Sequence, residues 1–163
     1  SFASSISPWV VTIEALDPFK VKGPAQDPEV LEYLKYKGLK NYDINLSVSI
    51  IPEKSDIESV ICRSNFKYMY WNMSQQIAHH TINGCNLNIG DIMASGTISG
   101  KSNDSYGSML ELSWGGKKSI LLEDGLSRTF VEDYDSIIMR GYCERDNIRV
   151  GFGEVKTKLL PSI

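Results

Sequence analysis

Imidazole is scarce in this 163-residue chain, where His79 and His80 are the only two histidines. Thiols are few and unpatterned: Cys62, Cys85 and Cys143 are odd in number and have no C-x-x-C spacing. That excludes a disulfide framework read from spacing and suits reduced thiols in a cytosolic protein. A basic surplus is also missing. Seventeen Lys and Arg stand against 20 Asp and Glu, a net charge of −3, which argues against a nucleic-acid partner or an anionic membrane surface. No apolar run approaches the roughly 20 residues of a membrane span. Ser1 to Ser7 have neither the basic start nor the apolar stretch of a secretory signal. There is no initiator methionine, so either it has been removed or the chain begins inside a larger protein.

What is present suits one globular domain. Hydrophobic residues make up 42% and charged residues 23%, an ordinary balance that excludes wholesale disorder. Pro8, Pro18, Pro24 and Pro28 remove backbone donors, so Asp17 to Asp27 is expected as an irregular surface excursion. Trp9 to Leu16 reads as a short strand and Glu29 to Tyr36 as a brief helix. Asp43 to Ile51 alternates, with Ile44, Leu46, Val48 and Ile50 on one face, and predicts a half-buried antiparallel strand paired with Ile57 to Arg63. One long helix is expected from Phe66 to about Ile82, capped by Ser64 or Asn65. Its stripe is Phe66, Met69, Met73, Ile77 and His80, with Tyr68 and Trp71 on the far side for a second surface. Further strands are expected at 91–94, 109–114, 119–122, 129–131, 136–143 and 148–157, between turns marked by glycines and by Asp146-Asn147. The predicted class is mainly β (α+β): a mixed β-roll or sandwich with one long helix.

Few residues point to chemistry on their own. His79 and His80 are adjacent on a helix and diverge by about 100°, so they cannot grip one ion together. With Cys85 they still fall short of a zinc site. His80 is expected to be packed and hydrogen-bonded, and His79 to lie at the surface. Gly96-Thr97-Ile98-Ser99-Gly100 lets backbone amides and two hydroxyls approach a carboxylate or phosphate, but equally suits an ordinary turn. It lacks the lysine and spacing of a P-loop. Glu111, read in a strand, is open between a solvated glutamate, the commoner case, and a carboxylate that orients a histidine. No Gly-x-Ser-x-Gly element accompanies it. The acidic residues between 123 and 135 have no EF-hand spacing and suit a solvated face.

A larger pattern runs through the chain. Its blocks are Ser7-Pro8-Trp9-Val10-Val11, Tyr42-Asp43-Ile44-Asn45-Leu46, Asn65 to Trp71, and His79-His80-Thr81-Ile82-Asn83-Gly84-Cys85-Asn86-Leu87. Then come Ala94 to Gly100, Gly107 to Trp114, Gly141-Tyr142-Cys143 and Val150-Gly151-Phe152-Gly153. In this order they closely resemble the fumarylacetoacetate hydrolase family, with residues 1–163 similar to the C-terminal segment of its catalytic domain. The resemblance implies hydrolysis of the carbon–carbon bond of 4-fumarylacetoacetate, a small diketo acid, to fumarate and acetoacetate, the last step of tyrosine and phenylalanine breakdown. It also implies a calcium or magnesium cofactor, a His–Glu pair that activates water, a lysine that stabilises the departing carbanion, a homodimer and a cytoplasmic location. Residue by residue, Glu111 matches the glutamate that orients the catalytic histidine, and Thr97 matches the threonine that contacts a substrate carboxylate. Ser4 stands where the family has a threonine of the metal site. His79 and His80 match positions without a catalytic role. The family's catalytic histidine, carboxylate ligands and Arg/Gln substrate contacts fall upstream of the matched region, and its lysine would come immediately before Ser1.

Two other functions compete with this one. A non-catalytic β-sandwich binding or scaffold module would keep the fold without the chemistry. A related diketone hydrolase or decarboxylase would differ in substrate. The 163 residues alone are expected to be inactive, because neither histidine is placed to serve as the base. The helix from Phe66 to Ile82 is expected to be mostly buried and to contribute to a dimer contact.

Overall fold

The structure is a computed structural model that describes residues 3–162. Its frame is a four-stranded antiparallel sheet built from β3 (Asn45–Ile51), β4 (Ser59–Asn65), β7 (Ser136–Arg145) and β8 (Ile148–Lys158), in the order β4-β3-β7-β8. Two small ladders flank it: β1 (Lys20–Val21) with β2 (Asn41–Tyr42), and β5 (Ile120–Leu121) with β6 (Ser127–Arg128). The helices are α1 (Met73–Thr81) and the single turn α2 (Met109–Leu112), with 3-10 turns at Glu14–Phe19, Glu32–Leu34, Phe66–Tyr68 and Asn103–Ser105. The mainly β, α+β class expected from the sequence is the class observed. No helix among the described residues is long and apolar enough to cross a membrane.

The alternation in β3 has the expected result. Ile44 and Ile50 are buried, and Leu46 packs beside Ile44 on a cluster of Leu16, Phe19, Tyr42 and Cys143. On its polar face Asn45 and Ser47 are half-buried, and Ser49 is as buried as the core. The β7–β8 hairpin turns at Asp146-Asn147, both at positive φ, the backbone a tight two-residue hairpin loop requires. Phe66, Met73, Val150 and Phe152 close the cluster from the helical side and from β8. Burying Phe19 completely contributes about 1.5–3 kcal/mol.

Several expected elements are different. Trp9 to Leu16 is not a strand; it becomes a 3-10 turn from Glu14, and Trp9, Val11 and Ile13 lie over a sheet face beside Leu46 and Phe152. Its apolar residues therefore pack on a face and do not pair with an edge. Glu29 to Tyr36 forms only the turn at 32–34. The Asp17–Asp27 excursion is irregular, yet it contributes β1 and the fully buried Phe19. Residues 91–94 are not a strand, because the Asp91 carboxylate accepts from Asn88 N (2.8 Å) and closes a local turn. The strand expected at 129–131 lies instead at β6, Ser127–Arg128.

The long helix is broken in two. Asn65 caps the 3-10 turn at 66–68, and Asn72 begins α1 afresh with a capping box, its side chain accepting from Gln75 N (3.0 Å) while Gln75 Oε1 accepts from Asn72 N (3.1 Å). Of the expected helix only the nine residues of α1 are α-helical, and among them Gln75 alone is buried. The expectation of a mostly buried helix fails within this chain: Ile77 is 42% exposed and Trp71 likewise.

Candidate active site

Strand β4 delivers the chain to the site. At its end the Asn65 side chain accepts from Lys67 N (2.9 Å) and donates to Asp43 Oδ1 (2.7 Å), forcing the turn at 66–68. Buried Asn41 donates to Lys67 O and to Met69 O (2.7 Å) and pins the following stretch. Tyr68, Tyr70 and Trp71 thereby form one wall of an open cleft of about 710 Å³, with Thr97, Ser99, Ser108 and Glu111 opposite.

The opposite wall depends on close backbone approach. A Cβ on Gly100 would sit 2.6 Å from the Tyr68 ring and from Ser105 Oγ; one on Gly107 would sit 2.7 Å from Ile98 O. Glycine is needed at both, since only a bare Cα lets the segments touch. Gly100 N donates to Ser105 O (2.9 Å), Gly107 N to Ser99 Oγ (3.0 Å), and Ser64 Oγ of β4 to Ile98 O (2.7 Å). The loop is thus tied to the sheet and to the start of α2.

Glu111 lies on α2 and not on a strand, which corrects the expectation for 109–114. Leu110, Leu112 and Trp114 do alternate, but Ser108 caps the turn by accepting from Glu111 N (3.3 Å). At the other end Gly115 N donates to Leu110 O (2.8 Å), a Schellman-type closure. The Glu111 carboxylate accepts from Ser108 Oγ at Oε2 (2.7 Å) and from Ser99 Oγ at Oε1 (2.9 Å) and Oε2 (3.0 Å). It is partly buried, not a freely solvated glutamate. Burial, then the negative charges of Asp104 and Glu111, push the Cys62 thiol up from its usual value.

Thr97 lines the same cleft and is exposed, so the structure brings together the two residues singled out for substrate chemistry. Ser4 is exposed in the N-terminal stretch. Among the described residues no three His, Cys, Asp or Glu side chains gather as a metal-binding group. His80 is not packed as expected: it is exposed, with Nε2 3.2 Å from Cys85 Sγ, while exposed His79 shares a hydrogen bond with the Tyr33 hydroxyl (3.0 Å). Sequence reasoning missed Ser99 and Ser108 as partners of Glu111. The available signal was Ser108-x-x-Glu111, the spacing of a capping box.

Residues 1–158 match the family described as fumarylacetoacetate (FAA) hydrolase, C-terminal. The chain belongs to the fumarylacetoacetate hydrolase family. It is 54% identical over 163 residues to the fumarylacetoacetase of Mus musculus, covering 100% of this chain and 39% of that protein. The fumarylacetoacetase of Homo sapiens is 52% identical over the same span, covering 100% of this chain and 39% of the human protein. That of Arabidopsis thaliana is 49% identical over 162 residues, covering 99% and 38%. The chain therefore spans about two fifths of the length of these fumarylacetoacetate hydrolase relatives.

Proposed function

We propose that this chain supplies one wall of the active site of a hydrolase that splits 4-fumarylacetoacetate into fumarate and acetoacetate. The observation that carries the reading is the Glu111 carboxylate, held by two serine hydroxyls beside the cleft that Thr97 also lines. Such a carboxylate holds one ring nitrogen of an imidazole as donor and leaves the other free to take a proton from water. The water oxygen then bonds to the carbonyl carbon of the diketone. The carbon–carbon bond breaks, its electron pair leaves on the acetoacetate carbon, and that carbon takes a proton. Thr97 would donate its hydroxyl to a substrate carboxylate.

Neither His79 nor His80 hydrogen-bonds to Glu111; they pair with Tyr33 and Cys85. The family resemblance brings the histidine from outside these residues. Calcium or magnesium takes six or more oxygen ligands, and among the described residues the resemblance assigns to it the hydroxyl of Ser4. The described residues do not fit a metal site by themselves, and the steps assigned to them use no cation. The reading includes a homodimer, supported by the exposed Trp71 and Tyr68, and a reducing cytoplasmic setting, supported by three free cysteines.

The test is Glu111→Gln in the full-length polypeptide that contains this chain. Glutamine keeps the shape and removes the charge that stabilises an imidazolium. By analogy with Ser-His-Asp sites, turnover of 4-fumarylacetoacetate should fall on the order of 10²–10⁴-fold. Binding of a non-hydrolysable diketone, followed by calorimetry, should change little. Near-normal turnover would return Glu111 to a structural role.

A further inference from the structure

We propose that Ser99 and Ser108 are positioning residues that aim the Glu111 carboxylate; the inference rests on the reading of Glu111 given above. Each serine has one hydroxyl proton, and in each a backbone N–H decides where that proton points. Gly107 N donates to Ser99 Oγ (3.0 Å), occupying a lone pair there and leaving the Ser99 proton for Glu111 Oε1 and Oε2 (2.9 and 3.0 Å). Glu111 N donates to Ser108 Oγ (3.3 Å), leaving the Ser108 proton for Oε2 (2.7 Å). The carboxylate is therefore clamped at both oxygens, with the heavier load on Oε2. Oε1 keeps lone-pair capacity for one further donor from the cleft.

The clamp is anchored in backbone. Ser99 sits between Ile98, whose carbonyl accepts from Ser64 of β4, and Gly100, whose N–H donates to Ser105 O. Ser108 is the cap of α2 itself. Rotation of the carboxylate about its last bond would break two hydrogen bonds to a charged acceptor, and such a bond shifts an equilibrium on the order of ten- to a hundredfold. Ser99 also links Glu111 to Thr97, two residues away on the same loop, so one short segment would set both the base-orienting carboxylate and the substrate contact.

The test uses Ser99→Ala, Ser99→Thr, Glu111→Gln and the double variant Ser99→Ala/Glu111→Gln in the full-length polypeptide, each assayed on 4-fumarylacetoacetate. Ser99→Ala should lower kcat on the order of tenfold with KM within about twofold, and Ser99→Thr, which keeps the hydroxyl, should recover most of it. The double variant should be no slower than Glu111→Gln alone, because Ser99 acts through that carboxylate. If the two losses multiply, or if Ser99→Ala raises KM and leaves kcat unchanged, Ser99 acts through the loop and Thr97, and the clamp is wrong while the Glu111 reading stands. A Glu111→Gln enzyme with normal turnover removes that reading and the clamp with it. Should Ser99→Ala fail to fold, Ser108→Gly removes the other hydroxyl at a position that tolerates glycine as a cap. It carries the same expectation of lowered kcat at constant KM.

Discussion

Asp135 has no solvent exposure, yet it is charged and well satisfied. Its carboxylate accepts from Arg128 Nε (2.9 Å), from the far guanidinium nitrogen of Arg128 (3.0 Å) and from Glu132 N (2.9 Å). Burial alone would raise its pKa; the Arg128 guanidinium and the Glu132 amide outweigh that and hold it below the usual 3.8. The guanidinium is correspondingly pushed up by Asp135. A carboxylate with a depressed folded pKa contributes stability that is full above its unfolded value and is lost as pH falls through the folded one. Asp135→Asn should therefore lower stability at pH 7 by about 3 kcal/mol, since a nearly buried guanidinium loses its buried counter-charge and keeps only the exposed Glu132 carboxylate at 3.3 Å. The gap between variant and parent should begin to narrow as pH falls below about 3.8. Urea midpoints for both proteins at pH 7 and near pH 2.5 would check this; an equal difference at the two pH values would show that the ion pair is not the cause.

At the scale of elements, α1 depends on its cap. Asn72 is buried, its oxygen accepts from Gln75 N, and its own Nδ2 has no partner among the described residues. Asn72→Ala should cost about 1 kcal/mol (range 0.5–2) of stability by chemical denaturation. Asn72→Ser keeps the capping oxygen, deletes the orphaned donor, and should lie within about 0.5 kcal/mol of the parent. Loss of equal size in both variants would mean that the amide fills space and caps nothing. The same residue explains how far the elements were legible. Strands β3, β4, β7 and β8 were readable because alternation and the Asp146-Asn147 turn are local signals that packing did not override. The helix was misread across 69–72 because the apolar spacing from Phe66 to Met73 continues through a break that Asn72, a second cap, marks. Glu111 was placed on a strand because Leu110, Leu112 and Trp114 alternate, and a one-turn helix is too short for periodicity to register. Thr97 and Glu111 stood out from their residues as open candidates and took their roles from the family resemblance; their meeting in one cleft is set by Gly100, Gly107 and Ser64, long-range contacts that no local pattern encodes. The serine clamp lay in that same category, except for the Ser108-x-x-Glu111 spacing.

The whole molecule exposes more surface than a self-sufficient domain of its size. Its accessible area is 11370 Å², whereas a compact monomer of 18.2 kDa would expose about 8,100 Å². Much of the excess is apolar: Trp9, Val10, Ile89, Ile92 and Leu160 are all well over half exposed, on stretches that run along the sheet or leave it. Scattered apolar residues are ordinary, and on the function proposed above further protein would cover an excess of this size. That agrees with a segment spanning about two fifths of its relatives. It also agrees with a site in which Glu111 has two serines and, among the described residues, no imidazole as partner. Expressed alone, the 163 residues should bind a hydrophobic dye such as ANS, self-associate at micromolar concentration in sedimentation velocity, and hydrolyse no 4-fumarylacetoacetate above a heat-denatured control. The full-length polypeptide should show turnover, weak dye binding and one defined assembly. A dye-silent monomer with turnover would mean that the exposed apolar surface needs no cover and that His79 or His80 can reach Glu111 after all. A dye-silent monomer without turnover would separate the two arguments, keeping the missing imidazole and discarding the missing cover.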